Sequence, residues 1–285
     1  MILFVKDLTV IDFSYLCKER GPLGESWIVD LELHGDLNEE SMVLDFSLVK
    51  KQVKRIIDDV IDHKLAIASG SGAVVQNTAE QVNIEFEFGQ NHKLAVSSPE
   101  QAFCFIDAER INQHSVIAYL KATILPQLPN NVKDIVLTLR PEQSHGFYYH
   151  YSHGLKKHDG NCQRIIHGHR STIEIEENGM RSPRLNKLWS ERWRDIYLVS
   201  QEDEIEASEL KYVNPVEQGV HSAYNASQGY FELSISKEVV DIIPCDSTVE
   251  CIAEYIATSL KTQNPSNHYR VAAYEGVGKG AIHCA

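Results

Sequence analysis

The same order of strand and helix patterns occurs twice along this chain of 285 residues. The first half is predicted to form strands at 2–13 and 26–34, a helix at 47–61, a strand at 82–88, a helix at 115–124 and a strand at 134–140. The second half is predicted to form a strand pair at 147–155 and 164–176, a helix at 185–197, a strand at 230–236, a helix at 249–260 and a strand at 269–274. This repetition predicts two tandem units of antiparallel sheet, each covered by helices on one face, and therefore an α+β fold.

The boundary between the two units is expected near residues 141–146, which gives a first unit at 1–143 and a second at 144–285. The last helix of the second unit is preceded by Ser247, and Glu250 follows three residues later. A serine and a glutamate at this spacing predict a capping box, in which each side chain bonds the other residue's backbone N–H group.

Charge and apolar content exclude several classes of protein. The chain has 27 basic and 40 acidic residues, and a net charge of −13 argues against a general nucleic-acid surface. No uncharged apolar stretch is as long as a membrane span, and Lys6 and Asp7 interrupt the region where a signal peptide would be apolar. Six scattered cysteines without a CxxC pair are typical of reduced thiols. We therefore expect a cytoplasmic protein with neither a nucleic-acid nor a membrane partner.

Six of the thirteen histidines lie between His145 and His169. The run ends in His167-Gly168-His169, and alternation along a strand places its two imidazoles on one face. His153 lies on the preceding predicted strand, and antiparallel pairing brings facing side chains to about 5 Å. Three imidazoles on adjacent strands predict a zinc site with one open position, as in catalytic zinc centres. The alternative is that the histidines are exposed strand residues without a ligand.

Two further motifs are suited to acid–base chemistry. Cys162 lies in a polar loop just before the His-x-His strand, and a thiolate there could act as a base. Asp62-His63 follows the first predicted helix, and an aspartate can orient an adjacent imidazole and stabilise its charged form. The alternatives are an inert buried cysteine and a solvated helix end at which His63 and Lys64 are favourable.

These motifs resemble those of the 6-pyruvoyl-tetrahydropterin synthase and 6-carboxytetrahydropterin synthase family. The resemblance rests on YHYSHGL at 149–155, CQRIIHGH at 162–169, the helix and Asp-His at 42–67, STVECIAEYIATSL at 247–260 and VAAYEGVGKGAIH at 271–283. It implies two tandem tunnelling-fold (T-fold) units, each an antiparallel four-stranded sheet with two helices on one face. It also implies a homo-oligomer, because such units assemble through their sheet edges.

The activity implied by the resemblance is that of a zinc-dependent carbon–oxygen lyase in tetrahydropterin or queuosine biosynthesis. Its pterin substrate would resemble 7,8-dihydroneopterin triphosphate, from which triphosphate is eliminated. The implied roles are zinc ligands His153, His167 and His169; catalytic Cys162 with His63 and Asp62; and substrate contacts Glu275, Thr248 and Glu250. The basic residues expected either to meet the triphosphate or to form a solvated face are Lys156, Lys157, Arg164 and Arg170.

Neither half of the sequence contains every part of such a site. The first half has Asp62-His63 but no His-x-His, whereas the second half has His-x-His and Cys162. Where the second half would need its own Asp-His, it has only a lone His221. We therefore expect Asp62 and His63 of one unit to face Cys162 and the zinc of another, either within one chain or between chains.

Two alternative functions follow from the same residues. His167-x-His169 with Glu174 also fits the first motif of a cupin-type metal-dependent oxygenase or isomerase. A cupin is nearly all-β, however, and two stretches of this sequence are strongly helical. The other alternative is a non-catalytic protein that binds pterin and zinc.

Arg170 replaces the asparagine that follows His-x-His in the family, and this departure leaves the substrate and product open.

Overall fold

The structure is a computed structural model that describes residues 1–39, 41–144, 146–158 and 160–285. His145, the first residue of the histidine run, lies outside the described residues. The described residues form four α-helices and seventeen strands. None of these helices could cross a bilayer: the longest have 15 residues, whereas a span needs about 20 apolar ones.

The elements alternate along the chain in the predicted order, with several short strands added. The helices are α1 (Phe46–Val60), α2 (Gln113–Ile124), α3 (Pro183–Arg192) and α4 (Val249–Gln263). The strands of the first half are β1 (Ile2–Cys17), β2 (Gly21–Gly35), β3 (Leu65–Ala68), β4 (Val74–Asn77), β5 (Val82–Phe88), β6 (His92–Ser98), β7 (Phe103–Ile106) and β8 (Val132–Arg140). Those of the second half are β9 (Tyr148–His153), β10 (His167–Glu177), β11 (Met180–Arg181), β12 (Ile196–Ser200), β13 (Gly219–Ala226), β14 (Gly229–Ser236), β15 (Val240–Ile243), β16 (Tyr269–Tyr274) and β17 (Gly280–Cys284).

Two of the three sheets have the same plan. One has the order β7-β3-β1-β2-β8, and the other has the order β15-β12-β9-β10-β16-β17 with β11 beside β10. Each is built around a long antiparallel hairpin, β1–β2 or β9–β10, with a parallel strand next to its first strand. The α+β class and the tandem repetition are confirmed. The sheets contain five and seven strands: β3 with β7 and β12 with β15 add parallel pairs, and β11 and β17 extend the second sheet further.

The third sheet joins the two halves of the chain. Its order is β13-β14-β6-β5-β4, and β14 of the second half pairs with β6 of the first half, with Glu232 opposite Ser97.

The alternation predicted for β5 is confirmed, because every second residue from Val82 to Phe88 is buried. In β14 the polar residues are buried as well. Glu232 accepts hydrogen bonds from three consecutive backbone N–H groups at 211–213, so the chain covers this face of the strand.

Each pair of helices packs on one sheet. Val49 and Val53 of α1 share a buried apolar cluster with Ile11 and Phe13 of β1, as the helical spacing predicts. Helix α1 begins one residue before the predicted position, because Asp45 caps it by accepting from the backbone N–H of Ser47 at 2.6 Å. Helices α3 and α4 share a second cluster with the strands of the other sheet.

The prediction of a single helix over 185–197 is wrong at its end. Helix α3 stops at Arg192, and strand β12 begins at Ile196. Between them Asp195 has a φ of 61°, in the left-handed region that a continuing helix cannot accommodate. Leu188, placed on the buried face by the helical spacing, is instead 50% exposed.

The two central hairpins pack directly against each other. Ser14 Oγ lies 2.8 Å from Ser152 Oγ, and Ser152 Oγ donates to the backbone oxygen of Pro22 at 2.9 Å. Glycines permit this approach: a Cβ atom at Gly24 would lie 1.9 Å from the backbone oxygen of Tyr151, and one at Gly168 would lie 2.8 Å from both Gly24 Cα and Ser14 Oγ. The glycine of His-x-His is therefore required where the first half of the chain crosses the second.

Candidate active site

The three histidines of the second half form one buried cluster. Antiparallel pairing of β9 with β10 sets His153 opposite His167, and alternation places His169 on the same face as His167. All three side chains are fully buried, and one ring nitrogen of each lies within 4.8 Å of the others. The His153 and His167 ring centroids are 4.4 Å apart.

The nitrogen atoms of these rings divide into two sets. The Nδ1 atoms of His153 and His167 bond Ser247 Oγ at 2.9 Å and Arg164 O at 3.0 Å, and that of His169 lies at an ion-pair distance of 3.2 Å from Asp12 Oδ1, outside hydrogen-bond geometry. All three Nε2 atoms are buried without a hydrogen-bond partner among the described residues. Buried polar atoms normally have partners, and metal-binding histidines normally bond a second group through the other nitrogen. The arrangement fits a metal ion bound by three Nε2 atoms.

The protonation of the cluster is consistent with metal binding. Burial lowers the pKa of His153 well below its usual value, and the neighbouring imidazoles lower it further. The pKa of His167 is lowered well below its usual value for the same two reasons. Neutral imidazole is the form that coordinates a metal, and three nitrogen ligands are a set found in catalytic zinc sites.

Asp62 and His63 of the first half lie next to this cluster in the same chain. The ring centroids of His63 and His167 are 5.1 Å apart, and ligand atoms of His63, Cys162 and His167 lie within 4.8 Å of one another. His63 Nδ1 lies 2.6 Å from Asp62 Oδ2. The aspartate, the imidazole and the thiol therefore form a connected series that ends beside the three histidines.

His63 is held in an unusual backbone conformation. Its φ of 54° lies in the left-handed region, which is uncommon for a residue with a side chain. Its backbone N–H donates to the carbonyl of Asp12 at 2.7 Å. Although burial opposes the charged form, hydrogen bonds with Asp62 and Cys162 raise the pKa of His63 to about 10. The imidazole is therefore suited to carry a proton next to the thiol.

The loop that carries Cys162 is fixed by the turn between β13 and β14. Gln228 N donates to Gln163 Oε1 at 2.7 Å, and Arg164 Nε donates to Gln228 Oε1 at 3.1 Å. Arg164 is 5% exposed, and its Nη1 lies 3.5 Å from the backbone oxygens of both Asp62 and His63. The third sheet therefore positions the thiol against the acid–base pair of the first half.

In a comparison with known protein families, residues 15–104 and 143–283 match the model of 6-pyruvoyl tetrahydropterin synthase. The chain belongs to the 6-pyruvoyl tetrahydropterin synthase family. No curated protein sequence matches it significantly. Similar solved structures include Plasmodium vivax 6-pyruvoyltetrahydropterin synthase, with 18% identity and a TM-score of 0.37, covering 49% of this chain and 97% of that one. Plasmodium falciparum 6-pyruvoyl tetrahydropterin synthase has 14% identity and a TM-score of 0.38, with the same coverage.

The glutamate expected to anchor the substrate lies at the edge of the histidine cluster in this family member. Glu275 Oε1 is 3.9 Å from His169 Nε2, and its side chain is 23% exposed. Lys279 Nζ lies 3.5 Å from Glu275 Oε2 and 3.7 Å from Asp12 Oδ2. A carboxylate at this position can reach both the cluster and the solvent.

The capping box predicted for Ser247 and Glu250 is wrong. Helix α4 is capped by Thr248, which accepts from the backbone N–H of Cys251 at 3.4 Å, while Ser247 Oγ bonds His153 instead. In the described part of the chain no hydrogen bond or ion pair joins Thr248 or Glu250 to the three histidines. The N-terminus of α4 nevertheless lies beside the cluster, because Ser247 immediately precedes it and contacts His153.

Of the four basic residues considered for an anionic substrate, Arg164 lies in the site. The others have structural partners. Lys156 pairs with Asp203, Lys157 pairs with Glu202 and Asp246, and Arg170 stacks 3.8 Å over the ring of Tyr148.

The lone His221 of the second half and Glu174 of the cupin motif lie elsewhere. His221 Nδ1 bonds Ser234 Oγ on the third sheet, 2.8 Å away. Glu174 pairs along β10 with Ala272, and among the described residues it is in neither group able to hold a metal. With four helices packed on its sheets, the fold also differs from a nearly all-β cupin.

Two residues of the site, Asp12 and Ser247, were not assigned a role there by the sequence. Asp12 lies in the apolar run VIDF, where a lone aspartate is the only sign that a buried partner is required. Ser247 carries a sequence signal for capping, which conceals its contact with His153.

Proposed function

We propose that this chain is a zinc-dependent pterin enzyme that eliminates triphosphate from a substrate resembling 7,8-dihydroneopterin triphosphate. The activity would be of the 6-pyruvoyl- or 6-carboxytetrahydropterin synthase type. One observation carries the proposal: Asp62-His63 of the first half meets Cys162 and the three histidines of the second half within one chain. Each half lacks what the other supplies, and family membership gives the combined site a chemical context.

In this proposal His153, His167 and His169 hold the zinc ion through Nε2. A bound zinc ion supplies a Lewis acid that polarises substrate oxygens and acidifies neighbouring C–H and O–H groups.

Cys162, as the thiolate, takes a proton from the substrate side chain and exchanges it with His63. Asp62 holds the Nδ1 side of His63, so that the other ring nitrogen is the one available to the thiol.

The remaining contacts would select and orient the substrate. Glu275 accepts hydrogen bonds from the amino and ring N–H groups of a pterin, which are charge-assisted and directional. Thr248 and Glu250 are proposed as further substrate contacts, supported by the proximity of the α4 N-terminus to His153. Arg164 is proposed to bind the triphosphate, because it is the one cation of the four that lies next to His63.

The proposal also includes a homo-oligomer formed through sheet edges. Strands β8 and β17 are edge strands, and each carries an exposed apolar side chain: Val136 is 41% exposed and Ile282 is 57% exposed. Exposed edges with apolar residues favour pairing with another chain. Light scattering on the purified protein tests this part, and a monomer at all concentrations contradicts it.

The reaction is tested by incubating the zinc-loaded protein with dihydroneopterin triphosphate and measuring triphosphate release. The wild-type protein is expected to release it, and Cys162→Ala is expected to be slower by at least about 100-fold. Cys284→Ala, which alters an exposed thiol, is the matched control and should retain wild-type activity. Equal inactivity of the wild type and Cys162→Ala, with zinc and pterin bound to both, would support the non-catalytic alternative.

A further inference from the structure

We infer that Asp12, on strand β1 of the first half, is a positioning residue that aligns a zinc ligand of the second half with the acid–base pair. This inference rests on the proposed function, because it concerns the geometry of the same site. Asp12 reaches the two groups by different routes, one through its side chain and one through its backbone.

The side chain of Asp12 faces His169. Its Oδ1 atom lies 3.2 Å from His169 Nδ1 and accepts a hydrogen bond from Ser26 Oγ. Ser26 Oγ in turn accepts from the backbone N–H of Arg170 at 3.1 Å. A carboxylate at Nδ1 fixes both the ring orientation and the tautomer of an imidazole, so that Nε2 presents its lone pair to the centre of the cluster.

The backbone of Asp12 holds the acid–base pair. Its N–H donates to Asp62 Oδ1 at 2.8 Å, and its carbonyl accepts from the backbone N–H of His63 at 2.7 Å. The second oxygen of Asp62 remains available for the imidazole of His63. In a strand the backbone groups point along the sheet while the side chain stands perpendicular to it, so one residue can make both sets of contacts.

Asp12 also touches the turn that carries the proposed substrate anchor. Gly276 follows Glu275 directly and has a φ of +67°, and a Cβ atom there would lie 2.4 Å from Asp12 Oδ1. Lys279 Nζ bridges the two carboxylates, 3.7 Å from Asp12 and 3.5 Å from Glu275. A 4% exposed carboxylate needs partners, and the side-chain partners of Asp12 all lie within or beside the site. The carboxylate therefore contacts the proposed zinc ligand and the turn of the proposed substrate anchor, while the backbone of the same residue holds the acid–base pair.

The test compares Asp12→Asn with Asp59→Asn, which alters an exposed aspartate on α1. Asparagine keeps the backbone contacts and the side-chain shape but removes the carboxylate charge from His169. Zinc affinity, measured by competition with a chromogenic chelator, is expected to fall by about 10–100-fold in Asp12→Asn and to be unchanged in the control. The visible absorption spectrum of the cobalt-substituted protein should also change in Asp12→Asn alone.

The outcomes separate this inference from the proposed function. If the wild type releases triphosphate but Asp12→Asn keeps its zinc affinity and cobalt spectrum, the inference is wrong and the proposed function stands. If Asp12→Asn weakens zinc binding although the wild type releases no triphosphate, the inference stands and the proposed reaction fails.

A second variant covers the case in which Asp12→Asn does not fold. Ser26→Ala removes the hydroxyl that holds the carboxylate and leaves Asp12 itself in place. It is then expected to weaken zinc binding several-fold, and unchanged affinity overturns the inference.

Discussion

Ser247 and Thr248 are adjacent in the chain but contact different parts of the molecule, so a pair of substitutions can separate their roles. Ser247 Oγ lies 2.9 Å from His153 Nδ1, whereas Thr248 caps helix α4. Ser247→Ala should therefore weaken metal binding, and Thr248→Ala should weaken the helix. A capping box at Ser247 and Glu250 would predict a helix effect for Ser247 instead.

The expected size of the Ser247 effect follows from the burial of His153. With the hydroxyl removed, Nδ1 loses its bonding oxygen, and nothing fixes the ring orientation that metal binding through Nε2 requires. The cost therefore falls on the metal-bound state. Loss of such an outer partner weakens metal affinity by about 10–100-fold, or roughly 1.4–2.7 kcal/mol. Thr248→Ala should instead lower the free energy of unfolding by about 0.5–1 kcal/mol, because its capping bond is long at 3.4 Å.

The assay is zinc competition against a chelator on both variants, with urea unfolding of the metal-free proteins alongside. Ser247→Ala should lose affinity, whereas Thr248→Ala should lose stability and keep zinc affinity within about twofold of wild type. The reasoning is refuted if Ser247→Ala binds zinc as tightly as wild type, or if both variants lose the same affinity.

Two further predictions concern residues outside the histidine cluster. Burial raises the pKa of Glu25 to about 7 from its ordinary value of 4.5, so its stabilising contribution is present below pH 4.5 and is lost as the pH rises through 7. The free energy of unfolding of Glu25→Gln, relative to that of wild type, should therefore rise by about 3 kcal/mol between pH 4.5 and pH 7. Urea unfolding of both proteins at the two pH values measures this, and the same difference in stability at both pH values contradicts the prediction. Gln228→Ala should displace the Cys162 loop and thereby lower kcat/KM by about tenfold, while zinc affinity stays unchanged. Steady-state kinetics that match wild type would exclude this positioning role for Gln228.

Much of the fold could be predicted because its signals are local. Alternation over Val82–Phe88 and helical spacing from Val49 to Val60 are recorded within a few residues, and the structure has those elements there. The same local reasoning fails over 185–197, where apolar residues continue a helical period by coincidence across the break at Asp195. Periodicity describes which residues share a face, but a single left-handed residue ends a helix without altering that period.

The pairing of β6 with β14 has no local signal, because it depends on contacts between distant parts of the chain. The burial of Glu232 depends on the same arrangement, because a covering segment from elsewhere in the chain satisfies its carboxylate. An alternating strand does not indicate whether its polar face meets water or another segment.

The sequence alone determined that His167 and His169 share a strand face and that the chain resembles one family, because both properties depend on residue order. Only the tertiary structure decided that Asp62-His63 lies beside Cys162 and the histidine cluster in the same chain, and that Asp12 and Ser247 lie next to the Nδ1 atoms of two of the histidines. Asp12 and His169 are far apart in the sequence and meet because glycines allow the two central hairpins to pack without intervening side chains. Contacts of this kind depend on how preformed elements pack, which no short stretch of residues specifies.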